Sequence, residues 1–511
     1  MKRIKFLSAF VIVTTLLCLC TMGAEFEKSR SYQNNFKDVP ETSWYASSVA
    51  SVYDIALMEG VSADTFDTES EMNVAQAITI AARLHSIYNE KEIPDSASGR
   101  WFQKYVNYCI DNGIMTEGQF DSYARSVLSY EMVQLFAKAL PNEYYPAINS
   151  IERVHDVPEG LIFHDDVLLF YNAGILNGND KNGTFLPMSA ITRKRAAVII
   201  SRVALKENRL SFSFEDIPET LTPAEFSELM DRQTVKDTLD GIVLASYGKY
   251  NITAAMYRYF SFLHKGDDKG IESEMKQYAA LMKLTDDAKI SVSRSTYESF
   301  LVNYYVSRSS TYGGGITYFD ALDEQRFTDS CFVNLSITSV YTRLLINNFC
   351  DSVTDDEVYN YLLENDYVYA THILIGKDSE DAYRRALEIR LAIINGDADF
   401  DELLKEHGED PGLMNRDGGY FFTYGTMVES FEKAAFALEE GEISAIIESD
   451  FGYHIIKRLP FTKEDFLSSP DFDTIVVYAG SDKYYETVSS ETALVSFAYA
   501  DNFKGLSEIL K

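Results

Sequence analysis

Basic residues are scarce in this chain. Lys and Arg number 46 against 78 Asp and Glu over 511 residues, a formal charge of −32. Nucleic-acid binding needs a basic footprint for counterion release, and docking on anionic lipid needs basic clusters, so both are disfavoured as tasks. Cysteine is also scarce, confined to Cys18, Cys20, Cys109, Cys331 and Cys350. That pattern contains no disulfide framework and no CxxC metal site, and leaves a Cys331–Cys350 bridge as an open pairing. His85, His155, His164, His264, His372, His407 and His454 form no HExxH or similar spacing, so no metal and no cofactor is expected. Between residues 211 and 366 phosphate loops and nucleophile elbows are missing as well. After the first 20 residues no apolar run approaches the roughly 20 residues of a bilayer span.

What is present starts with an export signal. Met1-Lys2-Arg3-Ile4-Lys5 is basic, Phe6 to Cys20 is apolar, and small residues follow at Gly23 and Ala24. This is the layout of a signal peptide, residues 1–24, with no permanent membrane span once it is cut. Losing Lys2, Arg3 and Lys5 takes the charge from −32 to −35. Leu17 and Leu19 are too large to precede a lipoprotein cysteine. The remaining length, with 46% apolar and 24% charged residues, predicts a globular chain of about three or four domains.

The first of these is repetitive. Phe36-Lys37-Asp38-Val39-Pro40 leads to Trp44-Tyr45 and a helical pattern through Val49, Val52, Tyr53 and Ala56, ending near Gly60. Trp101 follows Trp44 by 57 residues and opens a second copy that ends at Asn112-Gly113. A third runs from Val154-His155-Asp156-Val157-Pro158 to Ala173-Gly174. Second helices follow, such as Glu131–Leu140 and Lys194–Leu205, and the glycines supply left-handed caps. The two tryptophans read as core residues.

These three copies, 30–90, 91–150 and 151–210, resemble the S-layer homology family. The resemblance implies an all-α three-repeat bundle whose grooves bind a secondary cell-wall polymer. The family's Thr-Arg-Ala-Glu motif is matched only at Thr192-Arg193, which become the polymer-binding candidates. Val74 and Ser129 stand at the arginine position in the other copies, and Arg195 stands where a glutamate is usual.

Residues 211–366 read as helical, with Phe226–Ala245 and Ile271–Leu284 as helices and loops at Gly266-Asp267-Asp268 and Gly313-Gly314-Gly315. The aromatics at Tyr257, Tyr259, Phe260, Phe262, Tyr297, Phe300, Tyr304 and Tyr305 read as helix core, the alternative being an exposed cradle for unfolded chains.

From Tyr367 to Pro460 the pattern turns to β-α-α-β-α-β-β, a small α+β domain. Its motifs are Ala370-Thr371-His372-Ile373-Leu374, Glu409-Asp410-Pro411-Gly412, Met427 to Phe436, Gly441-Glu442-Ile443-Ser444 and Phe451 to Lys457. This segment resembles the parvulin family of peptidyl-prolyl isomerases. The resemblance implies an antiparallel sheet with flanking helices, and catalytic positions at His372, Asp410 and His454. It also implies a proline pocket walled by Met427, Phe431 and Phe422, and a supporting hydroxyl at Ser449. Many parvulins carry Gly-Gly-Asp-Leu-Gly, whose leucine lines the pocket. Here the chain reads Asp417-Gly418-Gly419-Tyr420-Phe421-Phe422, making Tyr420 or Phe421 the candidate replacement.

The order of segments, with 461–511 returning to the helical region, resembles secreted foldases of Gram-positive bacteria. It implies a multidomain, wall-attached isomerase acting on exported polypeptides with X–Pro bonds. The competing expectation is a non-catalytic chaperone or structural wall protein that keeps the parvulin shell for binding.

Overall fold

The computed structural model describes residues 26–95, 100–120, 122–309, 317–378, 381–413, 416 and 418–510. The expected signal peptide, the Gly313-Gly314-Gly315 loop and Asp417 lie outside these residues. The chain divides into two compact units. One joins Met1–Leu221 with Glu228–Gln233 and Ser293–Tyr318; the other joins Thr222–Ser227 with Thr234–Val292 and Phe319–Lys511. Residues 293–318, expected within the helical middle, therefore belong with the repeats.

The first unit holds two helices per repeat: Ala46–Asp54 with Val74–Tyr88, Gln103–Asp111 with Ser129–Ala139, and His164–Asn172 with Arg193–Ala204. Asn73 caps the second helix through Gln76 N–H, and the Gln76 side chain returns to Asn73 N–H. The segments before the second helices interlock. Met72 N–H donates to Ile191 O (2.8 Å), Val127 N–H to Met72 O (2.9 Å), and Ile191 N–H to Val127 O (3.4 Å). All three side chains are buried. Gly113 and Gly174 take the left-handed cap at φ 70° and 74°, but the first copy uses Ala56 at φ 59°. Gly60 is needed for a different reason, since a Cβ there would lie 2.4 Å from the Phe36 ring.

The tryptophans correct the core expectation: Trp44 is 64% exposed and Trp101 61% exposed. Adjacent positions cannot both face the core at this point of the chain. The inward places go to Tyr45 and Phe102, and in the third copy Phe163 is buried while Ile162 stands out.

In the second unit, helices Asp268–Asp287 and Asp329–Ser352 pack with Phe472–Leu494 through Leu281, Ile290, Leu345 and Tyr484. Residues beyond the isomerase segment thus run back along helices that precede it. The expected helix Phe226–Ala245 is broken. Pro223–Asp231 is helical, Asp237 caps a short turn by accepting from Leu239 N–H, and Val243–Tyr247 is a strand. That strand pairs with Tyr250–Thr253 and with Ala498–Tyr499. Tyr257, Phe260, Tyr297, Tyr304 and Tyr305 are buried, as the core reading expects, whereas Phe262 is 44% exposed.

The isomerase segment consists of β1 (Val368–Gly376), α1 (Ala382–Asn395), α2 (Phe400–His407), β2 (Tyr420–Phe422), α3 (Glu429–Ala437), β3 (Ile443–Glu448) and β4 (Gly452–Arg458). The sheet order is β2-β1-β4-β3, antiparallel throughout. Strand alternation divides its faces. Ile373, Ile375 and Ile455 pack under α1 and α2, whereas Val368, Ala370, Phe422 and Ile456 pack under α3 with Phe431 and Ala435. Gly396 ends α1 at φ 73°, the left-handed conformation that glycine adopts without cost.

Candidate active site

The α3 side of the sheet brings the predicted residues together. In the β1–β4 ladder His372 faces Ile456 and Leu374 faces His454, so the two histidines lie diagonally on neighbouring strands. Their ring centroids are 5.0 Å apart. Phe431, on the first turn of α3, lies edge-on to both at 4.9 and 5.4 Å. Phe422 packs on Phe431 at 5.7 Å, and Met427 and Val428 adjoin this cluster.

Asp410 arrives on the loop after α2. Its Oδ2 lies 2.9 Å from His372 Nε2, and its Oδ1 accepts Gly412 N–H at 2.9 Å. An ionised carboxylate only accepts, so His372 carries its proton on Nε2. The hydrogen bond from His372 and those from Gly412 and Tyr420 outweigh burial and hold the Asp410 pKa at about 2. On the other side Ser449 Oγ lies 2.6 Å from His454 Nε2. Burial, reinforced by repulsion from His372, lowers the His454 pKa to about 4. His454 is thus neutral near pH 7. Nδ1 of both histidines is buried without a partner among the described residues, which is unusual for buried polar atoms.

The stretch that departs from the parvulin pattern is resolved by alternation along β2. Phe421 points away from the site and packs with Val358, Tyr367, Phe466 and Ile475, so it does not replace the pocket leucine. Phe422 is 2% exposed and forms the floor behind Phe431. Tyr420 faces the site, but as a hydrogen-bonding group: its hydroxyl donates to Asp410 Oδ2 at 2.9 Å. On the far side of the Asp410 loop lies a cavity of about 550 Å³ lined by Thr371, Lys405, Asp410 and Arg416.

The polymer-binding candidates fare differently. Arg193 is 6% exposed, donates to Phe66 O (2.9 Å) and Glu59 O (2.7 Å), and lies over the Phe66 ring. Its charge is committed to the fold more than to a groove. Thr192 is the residue before that helix, with a buried hydroxyl that has no partner among the described residues. Arg195 is marked by the sequence only as a departure from the family's glutamate, not as a polymer-binding candidate. It forms no hydrogen bond or ion pair among the described residues, and with Arg202 and Trp44 it lines a cavity of about 340 Å³.

A four-stranded antiparallel sheet with paired histidines, an acidic partner and an apolar pocket defines a parvulin-type site. Residues 372–459 match the family model of the rotamase, PPIC-type PPIASE domain. The chain therefore carries a peptidyl-prolyl cis-trans isomerase domain of parvulin type. Foldase protein PrsA of Staphylococcus aureus (strain Newman) is 32% identical over 158 residues, which are 29% of this chain and 47% of that protein. The chain thus spans about half the length of this curated relative. NmPin, the parvulin of Nitrosopumilus maritimus, is 43% identical, covering 18% of this chain and 96% of its own, with a TM-score of 0.16. PrsA from Bacillus subtilis is 22% identical over 52% of this chain and 97% of its own, with a TM-score of 0.23.

Proposed function

We infer that this chain is an exported foldase whose isomerase domain turns X–Pro bonds in unfolded polypeptides. The observation that carries the reading is the line Asp410–His372–His454–Ser449 set behind the apolar wall of Phe431 and Met427. Rotation about X–Pro meets a barrier of about 18–20 kcal/mol, because the planar amide is resonance-stabilised. A twisted amide loses that resonance and its nitrogen becomes pyramidal. A dry pocket gripping the proline ring favours this geometry over either planar isomer, so no covalent nucleophile is required. In this mechanism Asp410 fixes the His372 tautomer, and neutral His454, hydrogen-bonded to Ser449, adds no charge beside the proline pocket.

The test is isomerisation of a proline peptide by the full chain beside His372→Ala and Asp410→Ala. Turnover that both substitutions reduce supports the reading, and a wild-type rate equal to the uncatalysed background refutes it. The second reading, a chaperone retaining the shell for binding, draws on Tyr420-Phe421 where the pocket leucine is usual. It predicts suppressed client aggregation without turnover.

Wall attachment belongs to the same proposal. Grooves flanked by the exposed indoles of Trp44 and Trp101 and by arginines suit a saccharide bearing carboxylates. Arg195 and Arg202 supply the cationic contact that an acidic chain needs toward an anionic polymer. The full chain should sediment with purified wall sacculi, and its failure to do so with the polymer intact would count against attachment.

A further inference from the structure

Tyr420 does not play the part of the leucine in the expected parvulin pattern, yet it is firmly built into the site. Its hydroxyl donates to Asp410 Oδ2, the same oxygen that takes the His372 Nε2 proton. The Arg416 guanidinium covers its ring, 4.4 Å from the centroid. Arg416 is in turn fixed by Gly419 O (2.6 Å) and by Asp471, whose Oδ2 (2.6 Å) and Oδ1 (3.3 Å) meet its two terminal nitrogens. Asp471 Oδ2 also accepts Phe421 N–H at 2.8 Å, which pins β2 beside it. The Asp410 loop is shaped around the phenol as well: a Cβ on Gly412 would lie 2.0 Å from the Tyr420 oxygen.

We propose that Tyr420 is a positioning residue of the isomerase site, holding the Asp410 carboxylate in the one orientation that aligns His372. The inference rests on the isomerase reading. With only the Gly412 N–H on Oδ1 and the histidine on Oδ2 as donors, the Asp410 carboxylate keeps the freedom to tilt within those two hydrogen bonds, and the tilt of His372 follows it. The phenol closes that freedom. Burial together with the Asp410 charge raises the Tyr420 pKa, so the phenol remains a donor across the working pH range. The titratable rings beside the carboxylate are His372 on β1 and His454 on β4, and the charged pair nearby is Arg416 with its partner Asp471. Tyr420 itself adds no charge, and its contribution is directional.

The experiment compares full-length wild type with Tyr420→Phe, which keeps the ring under Arg416 and removes only the hydroxyl. Loss of a hydrogen bond to an ionised group predicts a fall in kcat of about tenfold, with KM moving by less than about twofold. Asp410→Asn and the double variant complete a cycle in which the two losses are expected to be non-additive. A second readout needs no turnover: the ¹³C carboxyl titration of Asp410, assigned through Asp410→Asn, should rise in Tyr420→Phe. Wild-type turnover with Tyr420→Phe equal to it, or an unaltered Asp410 titration, would overturn this inference and leave the isomerase reading standing. No turnover in the wild type would overturn both.

Discussion

Asp471 grips Arg416 from outside the segment that matches the isomerase family. The carboxylate lies at the start of helix Phe472–Leu494, its oxygens 2.6 and 3.3 Å from the guanidinium. Arg416 sits over Tyr420, so the geometry of the Asp410 carboxylate depends on a residue beyond the matched segment.

Asp471→Asn in the full chain is therefore expected to lower kcat/KM several-fold. Both partners are largely buried, at 12% and 20% side-chain exposure. Stranding the arginine should cost about 2 kcal/mol, read from urea unfolding. Unchanged turnover and unchanged midpoint would show the ion pair to be idle.

The pH dependence of stability follows from His454. Its pKa falls from an ordinary value near 6.5 to about 4 in the folded domain. The unfolded chain takes a proton over this window that the folded domain refuses. Stability is therefore full above pH 6.5 and declines by about 3 kcal/mol as pH drops toward 4. Asp410, held at about 2, adds a further loss only below about pH 3.8. His454→Asn should flatten the first decline; a slope unaltered by this substitution would assign it elsewhere.

Arg193 and Arg195 of the third repeat should separate structure from binding. Arg193→Ala leaves Glu59 O and Phe66 O without their donor and is expected to destabilise the N-terminal unit by about 2 kcal/mol. Arg195→Ala should change stability by less than about 0.5 kcal/mol while reducing sedimentation with wall sacculi. The opposite pattern, a stable Arg193→Ala and an unstable Arg195→Ala, would reverse these assignments.

For the same reason Trp44→Ala should unfold within about 0.5 kcal/mol of wild type, because the indole is 64% exposed. A core tryptophan would cost about 3–5 kcal/mol. Thermal or urea unfolding of the full chain distinguishes the two.

The isomerase order β-α-α-β-α-β-β was legible because its elements are well punctuated. Gly396 caps α1, Asp399 caps α2 through Asp401 and Glu402 N–H, and β1 is a nine-residue apolar run. The gathering of His372, Asp410, His454, Phe431 and Ser449 could be anticipated only from ordered motifs. What escaped were features settled by neighbours distant in sequence. In Tyr420-Phe421-Phe422 all three residues are aromatic, so composition cannot reveal which faces alternate. In Trp44-Tyr45 and Trp101-Phe102 the larger ring looks the better core residue, yet the register buries the second. The strand at Val243–Tyr247 was hidden because its partners include residues near 499.

The ring of Met72, Val127 and Ile191 gives the N-terminal unit a property that an open stack of repeats lacks. An open stack has end units that can fray one at a time. A closed triangle has no ends. Each repeat supplies one donor and one acceptor to the other two, so excising any copy orphans groups in both survivors. Three imperfect copies are thereby bound to melt as one, and a weakness in any of them is shared by all.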